Sequence, residues 1–300
     1  MTSMEISPQI SIIMPTYNRA QLIAESVDSI RNQTFTNWEL IIVDDGSDDD
    51  TENIVREFKD ERIQFYKAGR TGIGGKIKNI GLQKASGELV AFIDSDDLWA
   101  DTKLEKQMEA LKQYPAAGFC ITGGYNFREP GVPVDHFYMQ QEGAKYDTVF
   151  IPIFRSEIAV FTQALLFRRS CLELTGNFIE AGSFSDVDFI VTLAYHFKAV
   201  VLYEPLVHRR LHNENYITSN WNKSYYESIE LIGRYRKKKM ISSVVSQNAL
   251  FKLYINFGEK CLLYKKNKEA FWNFMKAWIY KPYHVIPYKK IAKTFIRFFK

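Results

Sequence analysis

Carboxylate side chains that could bind a metal ion follow two short apolar runs of the sequence. Asp45 comes after the run Leu40–Val43, and a group that includes Asp94 and Asp96 comes after Leu89–Ile93. Carboxylate oxygens suit Mg²⁺ or Mn²⁺, and such a cation can neutralise a diphosphate leaving group. A single Asp-x-Asp motif is a weak signal, because acidic loops are common and are usually only solvated. Whether this motif marks a metal site depends on whether the fold brings these loops together.

Apolar runs alternate with helical patterns over the first 115 residues. Four strands are expected, at Ile10–Met14, Leu40–Val43, Ile63–Tyr66 and Leu89–Ile93. This rhythm predicts an α/β fold in which helices flank a mostly parallel, Rossmann-like sheet. In such sheets ligands bind beyond the carboxyl ends of the strands, so the polar loops that follow the strands should meet at one edge. Thr51, and Thr102 with Glu105, are expected to cap two of the helices.

Four motifs follow one another in an order that is typical of one enzyme family. They are Ile12–Asn18 (IIMPTYN), Ile41–Ser47 (IIVDDGS), Ala85–Glu88 (ASGE) and Phe92–Asp97 (FIDSDD). Together they resemble the inverting glycosyltransferases of family 2, which have the GT-A fold. The resemblance implies a GT-A-like catalytic domain over residues 1–220, with a nucleotide-sugar-binding half at 1–115 and an acceptor-side half at 116–220.

The resemblance also implies how the nucleoside would be bound. Pro15, Thr16 and Tyr17 would support the nucleoside. Asp45 resembles the family carboxylate that accepts the N3–H of a uracil-type base, so a UDP-sugar is the expected donor. Asp44 is expected to shape the turn instead.

Metal and phosphate ligands are implied in the same way. Asp96 is the first candidate ligand of Mn²⁺ or Mg²⁺, and Asp94 would contact the ribose or the metal and its water molecules. Lys78 could contact a phosphate, with a solvated loop as the alternative. The segment ending in Arg210 and His212 resembles the family's Arg-x-His, so Arg210 would pair with a phosphate or a carboxylate. His212 would approach the metal or the diphosphate, and an ordinary surface histidine is the alternative.

Asp186 falls at the position of the family's catalytic base, where relatives often carry Glu-Asp-x-Asp. Here the run reads Ser185-Asp186-Val187-Asp188, so Ser185 replaces the usual Glu and leaves positioning and acceptor class open. A base must reach the acceptor hydroxyl, and one carboxylate suffices for direct, inverting attack. A charge that only favours the start of a helix is the competing interpretation of Asp186.

Positive charge is concentrated at the end of the chain. Residues 231–300 hold 17 Lys and Arg but only two Asp and Glu, whereas the net charge of all 300 residues is +4. Residues 221–300 are therefore predicted to form a basic, aromatic-rich helical extension. Such a segment suits the surface of an anionic membrane. Nucleic acid would attract the same charge, but the family resemblance favours a membrane, and no nucleic-acid partner is expected; a helical cap with buried aromatics is the alternative.

Three widely spaced cysteines without a CxxC pattern argue against a disulfide scaffold or a zinc site. The sequence shows neither a signal-peptide pattern nor an apolar run of the roughly 18 residues that a spanning helix needs. A cytoplasmic protein, peripheral at the inner face of the membrane, is the expectation.

The sequence thus predicts a metal-dependent, inverting glycosyltransferase of surface polysaccharide or glycolipid synthesis. It would move one sugar from a nucleoside-diphosphate donor to a hydroxyl of a carbohydrate or lipid-linked glycan. Two alternatives stay open. One is a non-catalytic nucleotide- or membrane-binding protein. The other is a sugar nucleotidyltransferase, a class that usually carries a glycine-rich, Arg-containing loop where this chain has Pro15–Arg19.

Overall fold

The chain forms two compact units, residues 1–215 and 216–300. The computed structural model describes residues 7–137, 143–154, 158, 161–180, 182, 184–212 and 221–296. Within these residues the first unit holds every strand, and the second unit is helical.

One sheet of ten strands organises the first unit. The strands are β1 (Ile10–Thr16), β2 (Trp38–Asp44), β3 (Ile63–Lys67), β4 (Leu89–Phe92), β5 (Leu98–Trp99), β6 (Ala117–Phe127), β7 (Pro133–Phe137), β8 (Ala144–Asp147), β9 (Leu165–Arg168) and β10 (Lys198–Arg210). The main order is β3-β2-β1-β4-β9-β6-β10-β5, with β7 paired to β6 and β8 to β10. The β3-β2-β1-β4 ladders and the β6–β10 ladder are parallel, whereas β9 runs antiparallel to both of its neighbours. The predicted α/β fold is confirmed.

Seven helices accompany the sheet in the described part of this unit. They are α1 (Ile23–Arg31), α2 (Thr51–Arg56), α3 (Gly74–Lys84), α4 (Lys103–Gln113), α5 (Phe150–Phe154), α6 (Leu172–Thr175) and α7 (Ser185–His196). Because helices cover the parallel strands, β1 and β2 are buried almost throughout and read as continuous apolar runs. Helix α3 approaches β1 closely, since a Cβ at Gly81 would lie 2.4 Å from Cγ2 of Ile13.

The predicted side-chain caps are wrong at both helices. Thr51 is the first residue of α2, and its hydroxyl hydrogen-bonds to Asp49. Thr102 precedes α4 but makes no capping bond, and Glu105 accepts a hydrogen bond from Thr34 at 2.8 Å. The Thr51 hydroxyl also accepts from Arg19 N at 2.9 Å, so at both helices a distant part of the chain binds a group that the local sequence assigns to the helix end.

A buried hydrogen-bond network ties the strands together at their amino ends. The Glu39 carboxylate accepts hydrogen bonds from Ser11 Oγ (2.6 Å), Ser86 N (2.8 Å), Ser86 Oγ (2.7 Å) and Gln64 Nε2 (3.1 Å). Ser11 Oγ accepts in turn from the N–H of Gly87, where a Cβ would lie 2.7 Å from Ser11 N. The ASGE motif therefore fixes the start of β4 against β1.

Four helices form the second unit within residues 221–296. They are α8 (Trp221–Lys237), α9 (Ser243–Leu263), α10 (Asn267–Tyr280) and α11 (Val285–Ile296). Phe251, Phe257 and Phe274 lie in its buried core, and Ser242 Oγ caps α9 by accepting from Val245 N at 3.2 Å. The predicted C-terminal helical extension is confirmed. Among the residues described, no helix has the length and apolarity needed to cross a bilayer.

Replacing Glu39 with Ala should lower the free energy of unfolding by about 2 kcal/mol or more, because the buried Ser11 hydroxyl and the partly buried hydrogen bonds from Ser86 lose their acceptor. Glu57→Ala removes an exposed carboxylate and should change stability by less than about 0.5 kcal/mol. Urea titration of both variants measures the difference. Equal losses would show that the Glu39 network does not stabilise the sheet.

Candidate active site

The carboxyl ends of β1, β2 and β4 meet at one cavity of about 290 Å³. Parallel registers bring them together, since Thr16 lies beside Asp44 and Ile13 beside Phe92. The lining comprises Pro15, Thr16, Tyr17, Arg19, Asp45, Gly74, Ile77, Asp94, Ser95 and Asp96. Six residues predicted from the sequence thus line one cavity.

Asp45 forms the end of the cavity where β2 stops. Its carboxylate accepts from Thr71 N (2.6 Å) and Gly72 N (2.9 Å) and pairs with the Arg70 guanidinium. Burial alone would raise the pKa of Asp45, but these hydrogen bonds and the Arg70 charge hold it below its ordinary value. The guanidinium of Arg70 also lies 3.7 Å from the centre of the Tyr17 ring. Sequence reasoning missed Arg70, because no motif surrounds it.

The turn after β2 explains how Asp45 and Arg70 meet. Asp44 shapes this turn as predicted, since its carboxylate accepts from Gly46 N (3.2 Å) and Ser47 N (3.0 Å). Gly46 has φ +79, and a Cβ there would lie 2.7 Å from Arg70 N. Only glycine fits this left-handed, crowded position, so the turn and the loop after β3 pack directly together.

Three carboxylates gather after β4. Asp94, Asp96 and Asp97 each offer an oxygen, and the three oxygens lie within 4.8 Å of one another. Burial and the nearby Asp96 and Asp186 charges raise the pKa of Asp94 to about 6, although Lys78 opposes the shift. Burial, together with Asp94 and Asp96, also raises the pKa of Asp97 well above its ordinary value. A bound cation would relieve this repulsion, so this set of hard oxygen ligands fits a divalent metal.

The Asp96 carboxylate has two cationic or imidazole partners in this structure. His212 Nε2 lies 2.8 Å from Asp96 Oδ2, and the Arg19 guanidinium lies 3.3 Å from the same oxygen. The fold therefore brings His212, which follows β10, to the carboxylate cluster; its predicted approach to a metal or diphosphate stays a prediction. Asp97, which was not singled out as a site residue, is buried and accepts a hydrogen bond from Arg210 N at 2.8 Å.

Two adjacent arginines at the end of β10 have different environments. The Arg210 guanidinium donates to the Asp96 carbonyl (2.9 Å) and to the Glu25 carboxylate (2.6 Å). It thus pairs with a carboxylate, which is one of its two predicted partners. Arg209 instead lies over the Phe161 ring, 4.3 Å from its centre. No carboxylate in the described part of the chain accepts a hydrogen bond from Arg209, although its charge acts on Asp94 and Asp97.

Asp186, in the first turn of α7, faces Lys78 of α3. Lys78 Nζ lies 2.6 Å from both carboxylate oxygens, and Thr162 Oγ1 donates to one of them at 3.2 Å. Burial alone would lower the pKa of Lys78, but the charges of Asp186 and Asp94 raise it above its ordinary value. The Lys78 side chain is 6% exposed and that of Asp186 is 34% exposed, so Asp186 remains accessible.

Ser185 lies where the two helices begin side by side. It is buried, and its Cβ would lie 3.1 Å from a Cβ placed on Gly75. A glycine and a serine thus allow the close approach that joins Lys78 to Asp186. The position at which Ser185 replaces the usual Glu is therefore a point of close contact between α3 and α7.

The sequence matches a known family over much of its length. Residues 11–174 match the model of glycosyl transferase family 2. The chain is 38% identical over 142 residues to the putative teichuronic acid biosynthesis glycosyltransferase TuaG of Bacillus subtilis. It is 43% identical over 106 residues to the UDP-Glc:alpha-D-GlcNAc-diphosphoundecaprenol beta-1,3-glucosyltransferase WfgD of Escherichia coli. These alignments cover 47% and 34% of this chain and 56% and 40% of the relatives' own lengths.

The fold has a known counterpart as well. The structure of an S. aureus TarS fragment in complex with UDP-GlcNAc superposes with a TM-score of 0.71 at 20% identity. That match covers 91% of this chain and 81% of the TarS fragment, so the likeness extends over the GT-A-like sheet. With the family match spanning more than half of the sequence, the chain belongs to glycosyl transferase family 2.

Proposed function

We propose that the protein transfers a sugar from a nucleoside-diphosphate sugar to an acceptor hydroxyl, with inversion at the anomeric carbon. The observation that carries the proposal is the convergence of Asp45, the Asp94–Asp97 carboxylates and Asp186 around the carboxyl edge of one sheet. A nucleoside, a metal-bound diphosphate and an acceptor each need one of these groups. A sugar nucleotidyltransferase usually carries a glycine-rich, Arg-containing loop after the first strand, whereas Tyr17–Arg19 after β1 contain no glycine.

The nucleoside would lie against Tyr17 and Asp45. Asp45 is ionised and held by three donors, so it can accept the N3–H of a uracil-type base once the loop after β3 adjusts. Arg70 and Tyr17, stacked on each other, present flat groups against which a nucleoside base could stack. A UDP-sugar is therefore the proposed donor, in line with the UDP-sugars named for WfgD and TarS.

Asp94, Asp96 and His212 would hold a divalent cation, Mn²⁺ or Mg²⁺, beside the diphosphate. A cation bound there would neutralise the diphosphate as it leaves the anomeric carbon. Gln163, which hydrogen-bonds to Asp94, fixes the orientation of that carboxylate, and Asp97 anchors the segment through Arg210 N. These two residues act by positioning.

Asp186 is the proposed base that takes the proton from the acceptor hydroxyl. Lys78 binds both of its oxygens and Thr162 one, so three hydrogen bonds fix the carboxylate at the edge of the site. The Asp186 side chain is 34% exposed, and this exposed part leaves room for an acceptor. Direct attack by the activated hydroxyl then displaces the diphosphate from the opposite face, which gives inversion.

We also propose that the acceptor is a carbohydrate or a lipid-linked glycan, handled at the inner face of the cell membrane during surface polysaccharide or glycolipid synthesis. The names of TuaG and WfgD support this class of product. The basic helical unit supports attachment to the anionic membrane surface, and no nucleic-acid partner is proposed.

Asp96→Ala should abolish metal-dependent binding of UDP, because the cation loses a central ligand. Calorimetric titration of UDP and GDP, each with and without Mn²⁺, measures this and also identifies the base. Asp101→Ala removes an exposed carboxylate five positions along and should bind as the unaltered protein does. Mn²⁺-dependent binding of UDP that persists in Asp96→Ala would contradict the metal assignment.

Asp186→Asn should lower kcat by about a hundredfold or more, because a general base is lost, while the Kd of the UDP–Mn²⁺ complex stays within about twofold. Asp188→Asn is the matched control. It removes a charge from the same helical turn, so it reports any effect that comes only from the start of α7. Similar kcat losses in both variants would favour the helix-start interpretation, and unchanged turnover in Asp186→Asn would remove this residue from the mechanism.

Arg209→Met should weaken UDP–Mn²⁺ binding by about tenfold or more, since the positive charge of Arg209 acts on Asp94 and Asp97 in the carboxylate cluster and would also attract the diphosphate. Arg210→Met should instead lower the thermal midpoint, because Arg210 joins Asp96 to Glu25. Calorimetry and thermal unfolding separate the two effects. Unchanged UDP affinity in folded Arg209→Met would show that this residue does not meet the diphosphate.

A further inference from the structure

Successive helices of the second unit run in opposite directions, so the turns between them lie at two ends of the unit. Tyr225 of α8 stacks on Phe257 of α9 with 4.4 Å between ring centres, and Tyr254 of α9 stacks on Tyr280 of α10 at 5.8 Å. Helices α8, α9 and α10 are therefore successively antiparallel. The turns α8–α9 and α10–α11 share one end, which we name the basic end (residues 236–244 and 279–289), and the α9–α10 turn lies at the opposite end.

The two ends differ in charge. Arg236–Lys239, in the α8–α9 turn, are all exposed. No acidic residue occurs in 231–258 or in 270–300. The two acidic residues of this region, Glu259 and Glu269, lie near the end of α9 and the start of α10, toward the opposite end. The residues of the basic end therefore include lysine and arginine but no Asp or Glu, whereas the opposite end carries charges of both signs.

The basic end also exposes apolar side chains across the α10–α11 turn. The exposed fractions are 68% for Ile279, 97% for Tyr283, 58% for Val285, 42% for Ile286 and 51% for Tyr288. They occur within ten consecutive residues around one turn, where Tyr288 lies 6.2 Å from Trp278 between ring centres and donates to the Pro282 carbonyl at 2.7 Å, and we treat them as one patch. Contiguous exposed apolar groups bordered by charge mark interaction sites.

The chemistry of this patch fits a lipid surface. Aliphatic Ile279, Val285 and Ile286 can enter the boundary between headgroups and acyl chains, and Tyr283 and Tyr288 suit the headgroup level. Lys281 and Lys289 flank the patch, and Arg236–Lys239 add charge at the same end. A nucleic acid would use the cations and the rings but would leave the aliphatic side chains exposed, because bases bind by stacking on rings.

We propose that the basic end docks on an anionic bilayer, with residues 279–288 in the interface and Arg236–Lys239 against the headgroups. The inference rests on the proposed membrane-surface function and assigns it to one end of one unit. It does not depend on catalysis, because no residue of the candidate active site takes part.

Sedimentation of the full chain with vesicles tests the docking. Vesicles that contain phosphatidylglycerol should bind the protein, and vesicles of phosphatidylcholine alone should bind it at least tenfold more weakly. The triple change Ile279→Ser, Tyr283→Ser and Ile286→Ser should lower partitioning by tenfold or more. Leu263→Ser is the matched control, since Leu263 is 77% exposed at the opposite end.

The charge contribution is measured with a second triple variant. Lys237→Gln, Lys238→Gln and Lys239→Gln should together lower partitioning by up to about a hundredfold at low salt, and added salt should reduce binding of the unaltered protein. Circular dichroism checks that the surface variants remain folded. Asp186→Asn should bind vesicles as the unaltered protein does, so loss of catalysis and loss of docking are distinguishable.

Three results would overturn the proposal. The first is a folded protein that does not bind phosphatidylglycerol vesicles at all. The second is equal binding by the apolar triple variant and the unaltered protein. The third is a Leu263→Ser variant that loses as much binding as the apolar triple variant, because the opposite end would then share the contact.

Discussion

Repulsion among closely placed carboxylates is the constraint on which the first unit depends. Asp94, Asp96 and Asp97 lie close together after β4, and the charge of Asp186 acts on Asp94 from α7. Burial strengthens that repulsion, because low-dielectric surroundings screen charge poorly. The fold therefore supplies compensation from several directions. Lys78 is the buried part of this compensation, and a divalent cation would complete it.

Helix α3 carries Lys78, the buried positive charge of the site, and close packing of the helix fixes where that charge lies. Gly81 allows the helix to lie against Ile13 of β1, and Gly75 allows its start to meet the start of α7. Lys78 lies between these two glycines on the same helix, so both contacts fix its position. The ion pair between Lys78 and Asp186 then links α3 to α7. Stability of the packing and geometry of the site thus have the same cause.

Strand positions and the polar loops after them were predictable, because parallel strands buried on both faces leave long apolar runs in the sequence. Asp44 in its turn was also predictable, since its partners lie two and three residues away. The helix caps were not. The Thr51 hydroxyl accepts from Arg19 N across 32 positions and Glu105 bonds to a residue 71 positions away, partners that the local sequence does not reveal.

The sequence by itself determined the family, the α/β sheet and the edge at which the acidic loops meet, because these follow from local apolar patterns and short motifs. Tertiary structure decided how those charges are paired. Lys78 meets Asp186 across 108 residues and Arg70 meets Asp45 across 25, distances at which no local pattern reports a contact. It also decided that Arg210 is bound by Glu25 and the Asp96 carbonyl, while Arg209 lies over the Phe161 ring. Two adjacent residues of one type differ only in the side of β10 from which each side chain leaves the strand.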